Sequence, residues 1–67
     1  MKLRVNGEEL ALADERPSVQ DLLRSMRYDF PLVVVERNGD NVPREERATT
    51  LLAEGDSIEV YHLVTGG

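Results

Sequence analysis

The sequence predicts an α+β domain: a mixed, mostly antiparallel sheet of about four to five strands with one helix packed on one face. Three observations lead there. Short runs of alternating apolar and polar residues open and close the chain, a single segment repeats its apolar residues at helical spacing, and turn residues separate the runs. The resulting order, ββ-α-β-(β)-β, places strands on both sides of one helix in the chain, which suits a β-grasp roll.

Each element has its own signal. Leu3 and Val5 alternate with Lys2, Arg4 and Asn6, and Asn6-Gly7 supplies the positive-φ pair of a tight hairpin; Leu10 and Leu12 alternate in the returning strand. Val19, Leu22, Leu23 and Met26 fall at i, i+3, i+4 and i+7, with Ser18 placed to cap and Asp21 in the first turn, so a helix is expected over about 18–27. Tyr28-Asp29-Phe30-Pro31 ends it, because the residue before proline is pushed out of the α region. Leu32 to Glu36 reads as a strand and Asn38-Gly39-Asp40 as a turn. Val42-Pro43-Arg44-Glu45-Glu46-Arg47-Ala48 suits a short helical connector, Thr49-Thr50-Leu51 a brief strand, and Glu54-Gly55-Asp56 a turn. Ser57 to Val64 is then the closing strand.

Size and charge exclude several classes of function. The 67 residues make one small domain with a modest core and little room for a catalytic cleft. Thirteen acidic residues against eight basic ones give a net charge of −5, which disfavours nucleic acid, whose phosphates need clustered Lys and Arg, and favours a basic protein partner. The absence of cysteine removes disulfides and thiolate metal sites. Nothing in Met1 to Gly7 resembles a signal peptide and no segment is long enough to cross a membrane, so a cytoplasmic location is the expectation.

Thr65-Gly66-Gly67 follows directly on the last strand. Two residues without Cβ pass a narrow channel, adopt any φ/ψ and gain little from packing on their own body. If order ends near Val64, three residues reach roughly 10 Å beyond it. That suits a tail inserted into a partner's active site, with Thr65 and Gly66 in the channel and the Gly67 carboxylate at its end. A carboxylate resists nucleophiles until its oxygen becomes a good leaving group, and ATP provides one by forming an acyl-adenylate. A frayed terminus is the alternative reading of these residues. The chain divides accordingly into one domain, residues 1–64, and a flexible tail, residues 65–67.

Taken together, the Asn6-Gly7 hairpin, the helix ending Leu22-Leu23, the stretch Val42-Pro43-Arg44-Glu45, the turn Glu54-Gly55-Asp56, the final strand and Gly66-Gly67 resemble the ThiS family of thiamine-biosynthesis sulfur carriers, which are ubiquitin-like β-grasp proteins. The resemblance covers nearly the whole chain. The di-glycine is shared with ubiquitin-like modifiers and with the MoaD small subunit of molybdopterin synthase, so a MoaD-like subunit or another modifier is the alternative; the Val-Pro-Arg segment and short length point to ThiS. What the resemblance implies is a carrier and not an enzyme. A ThiF-like adenylating enzyme, using its own ATP and Mg, would activate Gly67; sulfur from a persulfide donor such as a cysteine desulfurase would displace AMP to leave a thiocarboxylate; and thiazole synthase, ThiG, would accept that sulfur. The chain itself would bind no cofactor. It departs from the family at Arg47, near which ThiS-like chains often carry a tryptophan.

Docking residues are expected beside the tail. Leu32-Val33-Val34-Val35 lacks polar alternation, yet one helix covers only one face of a small sheet, so half of this run should lie on the open face. In the last strand Ile58 and Val60 are assigned to the core, while Tyr61 and Leu63 face outward and, with Val64, would be gripped by a partner that orients Gly67. Ordinary cross-strand packing is the competing explanation. Glu45, Glu46, Asp56 and Glu59 are candidates for an acidic surface that meets a basic partner. His62 lacks the second histidine or cysteine of a metal set and reads as a surface residue. No nucleophile, base and cleft occur together, and no glycine loop precedes a helix to hold ATP.

Overall fold

A computed structural model of the chain describes residues 1–27 and 33–62. Its first hairpin joins β1 (Lys2–Val5) to β2 (Glu8–Ala11), with Leu3 opposite Leu10 and Val5 opposite Glu8. The turn between them has φ of 50° at Asn6 and 84° at Gly7, the left-handed pair that an Asn-Gly hairpin turn requires. Helix α1 (Val19–Ser25) follows. Its N-terminus carries a full capping box: the Asp21 amide donates to Ser18 Oγ at 3.1 Å and the Ser18 amide to Asp21 Oδ2 at 3.0 Å. Hydrogen bonding from the Ser18 amide and side chain, with the charge of Arg24 adding to it, holds the Asp21 carboxyl below its usual range.

The rest of the sheet comprises β3 (Val33–Arg37), β4 (Asp40–Asn41) and β5 (Ser57–His62), with a 3₁₀ turn at Arg44–Glu46. Strand order is β2-β1-β5-β3-β4; β5 runs parallel to β1 and antiparallel to β3. This is the mixed β-grasp sheet, with its first and last strands side by side at the centre. Val19, Leu22 and Leu23 of α1 close over Leu3, Val5, Val33, Val35, Ile58 and Val60, and Val42 and Leu52 complete the core. Burying a side chain such as Ile58 stabilises by roughly 1.5–3 kcal/mol. Because side chains alternate along a strand, the same register leaves Lys2, Arg4, Val34, Glu36, Glu59 and Tyr61 on the open face.

Two expectations from the sequence are corrected. Thr49-Thr50-Leu51 does not form a strand: only Leu51 makes an isolated bridge, to Ser18, while Thr50 Oγ1 and its amide both turn back to the Glu46 carbonyl. A hydroxyl that bonds its own neighbouring backbone competes with a strand ladder. The additional strand lies instead at Asp40–Asn41, where a turn was expected. Asn38 and Gly39 alone make that turn, at φ 52° and 90°, so Asp40 already pairs with Arg37. Helix α1 starts at Val19, with Ser18 as its cap, and ends two residues short of Arg27. The Tyr28–Pro31 break, Leu32 and the residues from Leu63 onward lie outside the described residues.

Candidate functional site

Strand β5 is the element that leads to the tail, and its two ends are held differently. At its start Asp56 is nearly enclosed, 7% exposed. The Asp56 carboxylate accepts from Arg37 Nε at 2.7 Å, Asn38 Nδ2 at 3.0 Å and the Ala53 amide at 2.8 Å. Burial alone would raise its pKa; the bonds from the Ala53 amide, Arg37 and Asn38 outweigh that and leave it below the usual carboxylate range. Asp56 is therefore a clasp between the β3–β4 turn and the loop before β5, which corrects its assignment to an acidic docking surface. Glu45 and Glu46 are exposed.

The middle of β5 is gripped from both sides. From the turn after β1, the Asn6 amide donates to the Ile58 carbonyl at 2.9 Å and Asn6 Oδ1 accepts from the Val60 amide at 2.8 Å. On β3, the register runs from Arg37 opposite Ile58 to Val33 opposite His62. Beyond Val60, among the described residues, β3 is the only strand paired with β5. The first hairpin turn ends the pairing with β1, so at Tyr61 and His62 the strand partner among the described residues is β3.

Tyr61 stands in that segment on the open face, 46% exposed, directly opposite Val34. This bears out the outward assignment of Tyr61 and the core assignment of Ile58 and Val60, and it places Val34 as the outward half of the valine run. His62 is also exposed. Leu63, Val64, Thr65, Gly66 and Gly67 lie outside the described residues, so the structure brings together Tyr61 and Val34 from the expected docking set. One pair escaped the sequence reading. Glu36 lies directly opposite Glu59, both half-buried, one step along the same face from Val34 and Tyr61. Partial desolvation, then the charges of Glu36 and Glu59, raise the pKa of the Tyr61 phenol. Strand parity puts Glu36 on the face of Val34, but only the β3–β5 register reveals that it meets Glu59.

Arg47, at the position where the resemblance noted a departure, turns inward. It is 9% exposed; its Nη2 donates to the Val33 carbonyl and its Nε is buried without a hydrogen-bond partner. The Gln20 amide donates to the Arg47 carbonyl at 3.0 Å, so this residue links α1 to the end of the sheet where β3 meets His62. The opposite end holds an open groove lined by Met1, Leu51, Leu52 and Ala53, near the bond from the Lys2 amide to Glu54 Oε2. No helix among the described residues is long and apolar enough to cross a membrane.

Comparison with known proteins agrees with this geometry. The chain is 34% identical to the sulfur carrier protein ThiS of Bacillus subtilis over 65 residues, covering 97% of this chain and 98% of that protein. It is 36% identical over its full length to part of a thiazole synthase of Paramagnetospirillum magneticum, of which it spans 20%. The crystal structure of the thiamine biosynthesis protein ThiS from Geobacter metallireducens superposes with a TM-score of 0.88 at 32% identity, each chain covered in full. The model of the ThiS family matches residues 3–67, through the final glycine pair, and this chain belongs to the ThiS family.

Proposed function

We propose that this chain is a sulfur carrier for thiamine biosynthesis, working through the carboxylate of Gly67. The observation that carries the proposal is a family match over nearly the whole chain on a fold whose central strand is the last described element before Gly66-Gly67 in the sequence. Five residues follow His62, and fully extended they span at most about 17 Å, enough to enter a partner's active site from a body held outside it.

The chemistry takes place on a ThiF-like adenylating enzyme. A Gly67 oxygen attacks the α-phosphorus of ATP and pyrophosphate leaves. The terminal sulfur of a persulfide donor, such as that of a cysteine desulfurase, then attacks the carbonyl carbon of the adenylate, and AMP departs. Cleavage of the donor's S–S bond takes two electrons from a thiol and leaves the thiocarboxylate. Thiazole synthase accepts the sulfur, a reading supported by thiazole synthases that contain a segment similar to this chain. The protein's part is to deliver the carboxylate: Thr65 and Gly66 cross the channel, and Tyr61, Leu63 and Val64 grip the partner at its mouth. The chain is a co-substrate and not a catalyst, and its dependence on ATP puts it in the cytoplasm.

Intact mass spectrometry tests the proposal. Incubation with ATP, a persulfide donor and a ThiF-like enzyme active on its own carrier should produce a mass gain equal to sulfur replacing oxygen, localised to Gly67. Unchanged mass with such an enzyme refutes it.

A further inference from the structure

The open face beside the tail carries an arrangement that costs the free protein stability. Glu36 and Glu59 sit directly opposite each other on β3 and β5. Like charges in that position repel, and half-burial weakens the solvent screening that would relieve them. Neither carboxylate is in an ion pair among the described residues: Lys2 is near Glu9 at 4.0 Å, Arg37 is engaged by Asp56 on the other side of the strand, and Arg4, on the same face, lies opposite Ser57 and not Glu59. Next along the same two strands come Val34 and the exposed ring of Tyr61. Glu59 and Tyr61 lie six and four residues before Thr65, and β3 sets Glu36 and Val34 directly opposite them, so this face belongs to the part of the body next to the chain's last residues.

We propose that Val34, Tyr61, Glu36 and Glu59 form one docking surface for an apolar, arginine-bearing face of the protein into which the tail is inserted. This rests on the sulfur-carrier reading for the partner's identity and adds the chemistry of contact. A guanidinium is planar and presents forked donors; it stacks on the Tyr61 ring while bonding to a carboxylate, and its charge relieves the repulsion of the glutamate pair. The partner's apolar surface covers Val34. The net charge of −5 adds long-range attraction to the same basic partner.

The experiment measures binding and turnover with a ThiF-like adenylating enzyme, for the wild-type carrier and for Glu36→Gln, Glu59→Gln and the double variant. The double variant should unfold at a temperature about 2–5 °C higher than wild type, since the repulsion is gone. It should bind the enzyme about tenfold more weakly, with a raised KM, a kcat within twofold and a flattened salt dependence. A residue pair with only a structural role would not move stability and binding in opposite directions. Unchanged affinity of the folded double variant overturns the docking surface, whatever the chemistry at Gly67. ATP-free binding that depends on both glutamates upholds it even if Gly67 is never thiocarboxylated, which would instead remove the sulfur-carrier reading. No binding by wild type removes both. A wild-type dimer that dissociates in the double variant would assign the surface to a second copy of this chain and overturn the proposal.

Discussion

Replacing Asp56 by asparagine removes one charge from a site built around it. The native carboxylate accepts from three donors, Arg37 Nε, Asn38 Nδ2 and the Ala53 amide. Asparagine has one acceptor oxygen, and its amide would face one of those donors. Hydrogen bonds to a charged group contribute about 1.5–3 kcal/mol each, not additively, and breaking a fully buried ion pair costs about 3–5 kcal/mol. The Arg37 side chain is 33% exposed, so water compensates part of its loss. A cost of about 2–3 kcal/mol results, and at about 4–8 °C per kcal/mol for a domain of this size the Tm falls by about 8–24 °C. The pH dependence follows from the lowered folded-state pKa: the stabilisation is present above the unfolded value of 3.8 and is lost as pH falls through the folded one. Circular dichroism melts of wild type and Asp56→Asn from pH 7 to pH 2 should therefore show a gap that is full at neutral pH and narrows in acid. A gap of under 2 °C at pH 7, or one that does not narrow, would refute the reasoning.

Other residues give sharper, smaller tests. Ser18→Ala removes the capping-box acceptor for the Asp21 amide and should cost about 1 kcal/mol by urea denaturation; a loss under a few tenths would show the cap to be dispensable. Arg47→Met removes a buried cation without an ion-pair partner among the described residues and keeps an apolar stem. The relieved desolvation outweighs the lost bond to the Val33 carbonyl, so stability should rise by about 1 kcal/mol, and a lower urea midpoint would contradict this. Gly66→Ala should slow adenylation of Gly67 severalfold without shifting the Tm, because the added Cβ meets the partner's channel; an unaltered rate would count against a narrow channel.

Local chemistry made much of the fold readable. The Asn6-Gly7 turn, the Ser18-Asp21 box and the i, i+3, i+4 apolar spacing of α1 each act within a few residues, so their signals sit together in the chain. Pairings that the residue types themselves do not announce were less legible, at short range as well as long. Thr49-Thr50-Leu51 has β-forming residues, yet the Glu46 carbonyl captures Thr50, and two polar residues, Asp40 and Asn41, become a strand because β3 is already there to pair. Asp56 shows the same limit: within Glu54-Gly55-Asp56 it reads as a solvated turn acid, and only the folded β3–β4 turn, nineteen residues away in sequence, brings Arg37 to it. At the candidate site, parity alone put Tyr61 outside. The meeting of Glu36 with Glu59 needed a register that no local residue encodes.

The two ends of β5 explain why a small carrier can be firm and still deliver its terminus. From Asp56 to Val60 the strand is fixed by the carboxylate clasp, by Asn6 of the first hairpin turn and by β3, and Ile58 is fully buried. Each of these contacts removes freedom in the free protein, before any partner is met, so the ordering cost is not incurred at binding. Past Val60, among the described residues, strand pairing with β1 has ended, and Tyr61 and His62 pair with Val34 and Val33 of β3. On the proposed reading, a partner that covers Val34 and Tyr61 meets a base already held in place. Moving the hairpin turn outward, so that β1 also paired with Tyr61 and His62, would add ladder hydrogen bonds to the sheet, and on the proposed reading it would do so at the expense of the surface offered to the partner.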